Sequence, residues 1–238
     1  MNNSICLWSC PRNVSTALMY SFAQRSDTEI FDEVLYAHYL SETGIDHPGR
    51  EIIMKTQENN GEKVVQNLIL KERSKVSFFK LMTHFLVNLN TNFLNKVQNI
   101  ILIRNPKEII HSYNKVIPNP SIEDIGVKMQ YELYQDLLKL GSAPLVLDAE
   151  FLLKDPKGIL VKLCDLLNIS FEEGMLSWEK GGRKEDGKWA EYWYKDVHNS
   201  TSFIPYYKRL ITLSGSNLIL ANKCKPYYEY LYNNSIKL

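Results

Sequence analysis

The chain has 238 residues, of which 45% are hydrophobic and 23% charged, a composition typical of a soluble globular protein. Its 28 lysines and arginines balance 27 acidic residues, which argues against an extended nucleic-acid-binding surface. The four cysteines lack the density of a disulfide framework and metal-ligand spacing, so we expect reduced thiols, no metal site and a cytoplasmic protein. We also expect no signal peptide and no membrane span, and treat residues 1–238 as one domain.

The first 25 residues predict a strand, a loop and a helix. An apolar run begins at Ile5, a turn contains Arg12, and helical spacing of apolar residues follows over 14–25. The backbone N–H groups of such a loop and the N-terminus of its helix point toward one position, which favours a bound anion. The loop contains no glycine and is not a Walker A sequence, so Asn13 is expected to take the left-handed conformation. We predict that this loop binds a phosphate group.

Strands and helices are predicted to alternate along the rest of the chain. Further strands are expected at 29–32, 75–81, 97–103 and 145–147. Helices are expected at 46–57, 61–73, 106–115, 121–140, 155–167 and 216–232. The alternation predicts an α/β fold of three layers, α/β/α, around a mainly parallel five-stranded sheet.

The region 174–203 has a different character. It is rich in Gly, Lys, Trp and Tyr and has weak periodicity, which predicts a long functional loop or lid with little regular structure. A simple connector is the alternative interpretation.

Polar residues follow several predicted strands at the sheet edge where ligands of parallel sheets bind. Glu33 follows the second strand, Lys80 and His84 end the third, and Arg104 ends the fourth. Ser112 lies about two turns into the helix after Arg104. Pairing Arg104 with the serine hydroxyl would create a second anion site, separate from the first loop. Two anion sites at one edge suggest a ligand with phosphate groups at two ends.

Both segments resemble the signature motifs of sulfotransferases that use 3′-phosphoadenosine 5′-phosphosulfate. Residues 10–18 resemble the loop that binds the 5′-phosphosulfate, and residues 104–112 resemble the motif whose arginine and serine bind the 3′-phosphate. The segment 145–171 resembles the family's later strand and helix, and the whole pattern looks most like a bacterial branch of uncharacterised sulfotransferase-like proteins. The resemblance implies a P-loop NTPase-like fold and a small-molecule acceptor, with no metal required.

The resemblance also implies roles for individual residues in transfer of a sulfuryl group to a hydroxyl or amine. Arg12 would stabilise charge on the transferred group, Glu33 would accept the proton, and Lys80 or His84 would assist. Arg12 stands where many members have lysine, and Asn13-Val14 replaces their Ser-Gly. Arg183 and Lys184 are a loose counterpart of a late Arg-Lys-Gly element. The implied nucleotide-binding residues are Pro11, Arg12, Asn13, Val14, Ser15, Thr16, Arg104, Ser112, Arg183 and Lys184.

Other interpretations stay open at this point. A P-loop kinase acting on a small molecule is one, and a non-enzymatic binder of adenosine 3′,5′-bisphosphate is another. Glu33 is equally explained as a cap of the following helix, and His84 as a structural histidine. The sequence predicts neither the acceptor nor the oligomeric state.

Overall fold

The fold is built on parallel strands, seen in a computed structural model that describes residues 3–115, 118–208 and 210–237. The strands are β1 (Ser4–Ser9), β2 (Thr28–Asp32), β3 (Val76–Met82), β4 (Gln98–Ile103) and β5 (Leu145–Asp148). They form one five-stranded sheet in the order β2-β3-β1-β4-β5, and every pairing is parallel. All residues of β1 and β3 are buried, because helices cover the sheet. The predicted α/β fold is confirmed.

Helices connect the strands. They are α1 (Ser15–Phe22), α2 (Tyr36–Thr43), α3 (Arg50–Thr56), α4 (Gly61–Val64), α5 (Pro106–Tyr113), α6 (Ile122–Ile125), α7 (Val127–Lys139), α8 (Ala149–Lys154), α9 (Pro156–Leu166), α10 (Ala190–Trp193), α11 (Lys195–His198) and α12 (Gly215–Asn233). Pro106 starts α5 behind Asn105, whose side chain accepts a hydrogen bond from the N–H of Lys107 at 3.0 Å. Within the described ranges, no helix is long and apolar enough to cross a bilayer.

The helix predicted at 121–140 is interrupted at Gly126, so it forms the separate helices α6 and α7. Gly126 has a φ of 75°, and a Cβ atom built there would lie 2.9 Å from the Cβ of Cys10. Glycine therefore lets the start of α7 approach the loop that follows β1. The periodic sequence could not reveal this break, since its cause is a contact between distant parts of the chain.

The helix predicted at 61–73 is also shorter than expected. After α4 the chain forms one π-helical turn, Val65–Ile69, and the helix ends there. Arg73 Nη1 donates to the carbonyl oxygens of Leu68 and Lys71 at 2.8 and 3.2 Å, so it satisfies groups at the helix end instead of extending the helix.

The sheet order creates a crevice between the loops that follow β1 and β4. These strands are neighbours, but the chain leaves β1 toward β2 and β3 on one side and leaves β4 toward β5 on the other. Ligands of open parallel sheets bind at such a reversal, beyond the carboxyl ends of the strands. The loop at 10–14 and the residues after β4 both lie at this edge.

Candidate active site

The loop after β1 contains two residues with left-handed backbone. Arg12 has a φ of 62° and Val14 a φ of 63°, whereas Asn13 does not have a positive φ. The expectation that Asn13 takes this conformation is therefore wrong. The side chain of Asn13 is instead buried, and its Nδ2 donates to the carbonyl oxygen of Leu102 in β4 at 2.7 Å. This contact explains how a loop without glycine keeps a strained conformation.

The same carbonyl of Leu102 accepts a second hydrogen bond, from Nε2 of Gln130 in α7 at 2.7 Å. Gln130 is fully buried, as is most of Asn13. One carbonyl group of β4 therefore fixes both the loop and the helix that packs behind it.

Two arginines and a serine meet in the crevice. Arg12 Nε donates to Ser112 Oγ at 3.0 Å, and Arg104 Nη1 donates to the backbone oxygen of Arg12 at 2.6 Å. The sequence predicts that Arg104 pairs with Ser112 in a separate site, but the hydroxyl is bonded to Arg12. The residues of the two expected anion sites thus form one continuous cluster across β1 and β4.

The charge of this cluster is positive. The side chains of Arg12 and Arg104 are 28% and 25% exposed. Arg104 Nε donates to Glu108 Oε2 at 2.8 Å, and the hydroxyl of Tyr206 donates to Glu108 Oε1 at 2.9 Å. Arg12 Nη2 lies 3.8 Å from the carboxylate of Asp196, which is 82% exposed and so contributes little attraction.

Pro11, Ser15 and Thr16 lie around the same loop. Ser15 and Thr16 are the first two residues of α1, so their backbone N–H groups have no partners within the helix. Ser15 is buried, while Pro11 and Thr16 are partly exposed. The start of α1, which directly follows the loop that contains Arg12, therefore offers N–H groups without helical partners, which suits an anion.

A second cluster lies where β2 and β3 end. Lys80 Nζ donates to Asp32 Oδ1 at 3.1 Å and also to Glu33 Oε1. It lies 2.6 Å from the hydroxyl of Tyr194, which donates to Asp32 Oδ2 at 2.7 Å. All four residues are buried. The predicted catalytic residues Glu33 and Lys80 are thus in direct contact, with Asp32 and Tyr194 as partners.

Burial governs the ionisation of this cluster. Burial raises the pKa of Glu33 to about 7. The Lys80 ammonium lowers this pKa, but the Asp32 carboxylate opposes that lowering. Burial lowers the pKa of Lys80, but Asp32 and Glu33 outweigh it and the net shift is upward. Lys80 therefore stays charged, while Glu33 holds its proton to a higher pH than an exposed glutamate does.

His84 occupies a different environment. It follows β3 and is partly exposed, and its ring meets the rings of Tyr39 and Phe85 at centroid distances of 4.7 and 4.8 Å. Burial and the neighbouring His47 lower the pKa of His84 to about 4. Thr83, the preceding residue, donates its hydroxyl to the backbone oxygen of Ser9 at 3.1 Å, which fixes this turn beside the start of the 10–14 loop.

Comparison with known proteins identifies the family to which this arrangement belongs. The family profile described as sulfotransferase domain matches residues 3–234. The chain belongs to the sulfotransferase domain family. The sulfotransferase domain from the Synechococcus PCC 7002 olefin synthase superposes with a TM-score of 0.53 at 17% identity, covering 93% of this chain and 94% of that one. The sulfotransferase domain from the curacin biosynthetic pathway gives 0.52 at 18% identity, covering 94% and 98%.

A longer relative is also similar in sequence. Branched-chain-amino-acid aminotransferase-like protein 1 from Arabidopsis thaliana is 42% identical over 228 residues. The match covers 94% of this chain and 40% of the relative, so the chain spans about two fifths of that protein's length.

In this sulfotransferase domain the 174–203 segment is tied to the sheet and is more ordered than the sequence predicts. It contains the short helices α10 and α11. Asp186 Oδ2 accepts hydrogen bonds from the hydroxyl of Tyr20 at 2.6 Å and from the N–H of Arg183 at 2.9 Å. Trp189 Nε1 lies 3.0 Å from the hydroxyl of Tyr194. Tyr194 in turn donates to Asp32 of β2 at 2.7 Å, so the segment is fixed to α1 and to the end of β2.

Among the described residues, no contact joins Arg183 or Lys184 to the cluster of Arg12, Arg104 and Ser112. Arg183 Nε lies 3.3 Å from Glu185, and its guanidinium lies 5.8 Å from the ring centre of Tyr20. Lys184 is 90% exposed and approaches Glu185 at 3.9 Å. Their place in nucleotide binding stays a prediction.

Sequence reasoning missed several residues of the two clusters. Tyr194 and Asp32 complete the Lys80 cluster, although they are separated by 162 positions. Glu108 holds Arg104 and accepts a hydrogen bond from Tyr206, but Arg104 precedes the helix predicted at 106–115, so helical spacing gives no signal for this pair. No group of three or more histidine, cysteine or acidic residues arranged to hold a metal occurs in the part of the chain that the structure describes.

Proposed function

We propose that this sulfotransferase domain transfers a sulfuryl group from 3′-phosphoadenosine 5′-phosphosulfate to a hydroxyl or amine of a small molecule. The main support is the convergence of Arg12, Arg104 and Ser112, which come from the loop after β1, the residue after β4 and helix α5, and which meet in the crevice between β1 and β4. A ligand with two separated phosphate groups suits two half-buried guanidinium groups that share one edge of the sheet.

The two ends of the nucleotide would bind different parts of the cluster. Arg12, the loop N–H groups and the first turn of α1 would contact the 5′-phosphosulfate. Arg104 and Ser112 would contact the 3′-phosphate. Because Ser112 Oγ already accepts from Arg12, its own proton is available to a phosphate oxygen on the other side.

Glu33 is the proposed base. The acceptor atom forms a bond to sulfur, the bond between sulfur and the bridging phosphate oxygen breaks, and the proton of the acceptor passes to the Glu33 carboxylate. A base works best when its pKa is near the working pH, and the pKa of about 7 for Glu33 meets this condition better than the pKa of about 4 for His84. Lys80 would steady the carboxylate through their direct contact. Arg12 and the loop would stabilise charge on the departing oxygen.

Two measurements test this function. Wild-type protein is titrated with adenosine 3′,5′-bisphosphate by calorimetry, and release of the same product from the donor is followed with a broad acceptor panel. Binding with transfer supports the proposal. Tight binding without transfer to any acceptor would instead support the non-enzymatic nucleotide binder.

A further inference from the structure

Three partners surround the ammonium group of Lys80. Its Nζ donates to Asp32 Oδ1 at 3.1 Å and to the hydroxyl oxygen of Tyr194 at 2.6 Å, and it also donates to Glu33 Oε1. A lysine ammonium has three N–H donors and no acceptor, so these partners account for all of its hydrogen bonds. Lys80 is only 2% exposed, so water does not replace a lost partner easily. The direction of the ammonium therefore depends on all three partners together.

Tyr194 connects this ammonium with the Asp32 carboxylate. Its hydroxyl donates to Asp32, and its oxygen lies 2.7 and 2.9 Å from the two carboxylate oxygens. The same hydroxyl accepts from Lys80 Nζ and from Trp189 Nε1, the latter at 3.0 Å, so its donor and both of its lone pairs are used. The N–H of Gly187 also donates to Asp32, at 3.3 Å. The 174–203 segment thus supplies the groups that hold Asp32 in place.

The backbone of Glu33 is held in the left-handed conformation. Its φ is 45°, which is uncommon for a residue other than glycine. Its N–H donates to the carbonyl oxygen of Lys80 at 2.8 Å, and its own carbonyl oxygen accepts from the N–H of Tyr36 at 2.9 Å. Strain of this kind persists only where the surrounding contacts maintain it, and it is concentrated at functional sites. Lys80 therefore holds Glu33 twice, by its carbonyl group and by its ammonium group.

The charge on Glu33 depends on how the ammonium is shared between two carboxylates. The titratable groups that face Glu33 are Lys80, Asp32, Tyr194 and Tyr36. The ammonium and the Tyr194 hydroxyl lower the pKa of Glu33, whereas the Asp32 carboxylate raises it. Because Tyr194 donates to Asp32, it weakens the competition of that carboxylate for the ammonium. Loss of the hydroxyl should raise the pKa of Glu33, and loss of the charge on Asp32 should lower it.

We infer that Tyr194 and Asp32 are positioning residues that hold the Lys80 ammonium against the proposed base. The inference rests on the proposed sulfuryl transfer for the meaning of "base", but the arrangement itself can be tested without any transfer. It gives the 174–203 segment a part in the site instead of the role of a connector, because that segment supplies Tyr194.

The test follows the titration of Glu33 by carbon-13 NMR of its carboxyl group, with the signal assigned by its loss in Glu33→Gln. Wild type is compared with Tyr194→Phe, which removes only the hydroxyl, and with Asp32→Asn, which removes the charge and keeps the shape. Tyr20→Phe is the matched control, because its hydroxyl also binds the 174–203 segment, at 2.6 Å, outside the contacts of the ammonium. We expect the midpoint to rise by about one pH unit in Tyr194→Phe, to fall in Asp32→Asn, and to stay unchanged in Tyr20→Phe.

Turnover of the nucleotide donor is measured on the same proteins as a function of pH. Tyr194→Phe should be about 3- to 10-fold slower than wild type near neutral pH and should recover as the pH rises, with the KM for the donor unchanged. A purely structural role would instead lower turnover at every pH. Absence of transfer in wild type would reject the proposed function and leave the titration result valid.

Three results would overturn the inference: an unchanged Glu33 midpoint in Tyr194→Phe, an equal shift in Tyr20→Phe, or a midpoint in Asp32→Asn that does not fall. Circular dichroism melting shows whether each variant is folded. If Tyr194→Phe does not fold, the isosteric Asp32→Asn decides alone, since sharing of the ammonium requires its midpoint to fall.

Discussion

Replacing Asn13 with alanine removes a buried side chain that ties the loop after β1, the proposed phosphate loop, to the sheet. Its Nδ2 bond to the Leu102 carbonyl, 2.7 Å long and buried, is worth about 1–2 kcal/mol. The carbonyl keeps its bond from Gln130, so no acceptor is left unpaired in the core. Without this tie, the left-handed conformations of Arg12 and Val14 lose their support. We therefore expect adenosine 3′,5′-bisphosphate to bind about 5- to 30-fold more weakly. The nucleotide must then hold the loop in its binding conformation without the free energy that the Asn13 hydrogen bond contributes in wild type.

Gln130→Ala is the matched control for this prediction. It removes the other hydrogen bond to the same carbonyl and also creates space in the core, but it does not touch the loop. Urea unfolding should show both variants destabilised, Gln130→Ala at least as much as Asn13→Ala. Calorimetry should show weaker nucleotide binding only in Asn13→Ala. Equal affinity in Asn13→Ala and wild type, or equal losses in both variants, would refute the role given to Asn13.

Substitutions at three residues test the two clusters. Arg104→Ala should weaken binding of adenosine 3′,5′-bisphosphate about 10- to 100-fold by calorimetry, and unchanged affinity would remove Arg104 from the site. Glu33→Gln should lower turnover about 100-fold or more and leave nucleotide affinity unchanged. The pKa of Glu33 is about 7 in the folded state against an ordinary 4.5, so the folded state holds this proton to a higher pH than the unfolded state does. Wild type should therefore lose stability relative to Glu33→Gln as the pH rises from 4.5 to 7. A difference in Tm between the two proteins that does not change over this pH range would contradict this. Tyr194→Phe should cost about 1–3 kcal/mol in thermal unfolding, whereas Tyr192→Phe, at an exposed ring, should cost nothing measurable.

The sheet could be predicted from the sequence because its signal is local. Strands such as β4 are short apolar runs ending at a polar residue and proline, and the following helix starts at that proline. The approach of the loops after β1 and β4 then follows from the rules for parallel sheets. The sequence therefore predicts that Arg12, Arg104 and Ser112 lie at one edge of the sheet.

The details of the site depend on contacts between distant residues, which the sequence does not reveal. Local preference favours Asn13 for the left-handed conformation, but its bond to Leu102, 89 positions away, leaves that conformation to Arg12 and Val14. Similarly, Tyr194 comes from a region without periodicity and joins Asp32 and Lys80 only through the tertiary fold. The environments of Glu33 and of the 174–203 segment could not be predicted for this reason.

The most direct test of the proposed two-ended phosphate site is a thermal-shift comparison of wild-type protein alone, with adenosine 3′,5′-bisphosphate and with ATP, each with and without magnesium. A ligand at 100 times its Kd adds about 2.7 kcal/mol to the stability of the folded state. For a chain of this size that raises the Tm by about 5–10 °C. We predict such a rise with adenosine 3′,5′-bisphosphate, independent of magnesium, and a much smaller rise with ATP. A larger rise with ATP that requires magnesium, or no rise with the bisphosphate, would contradict the account.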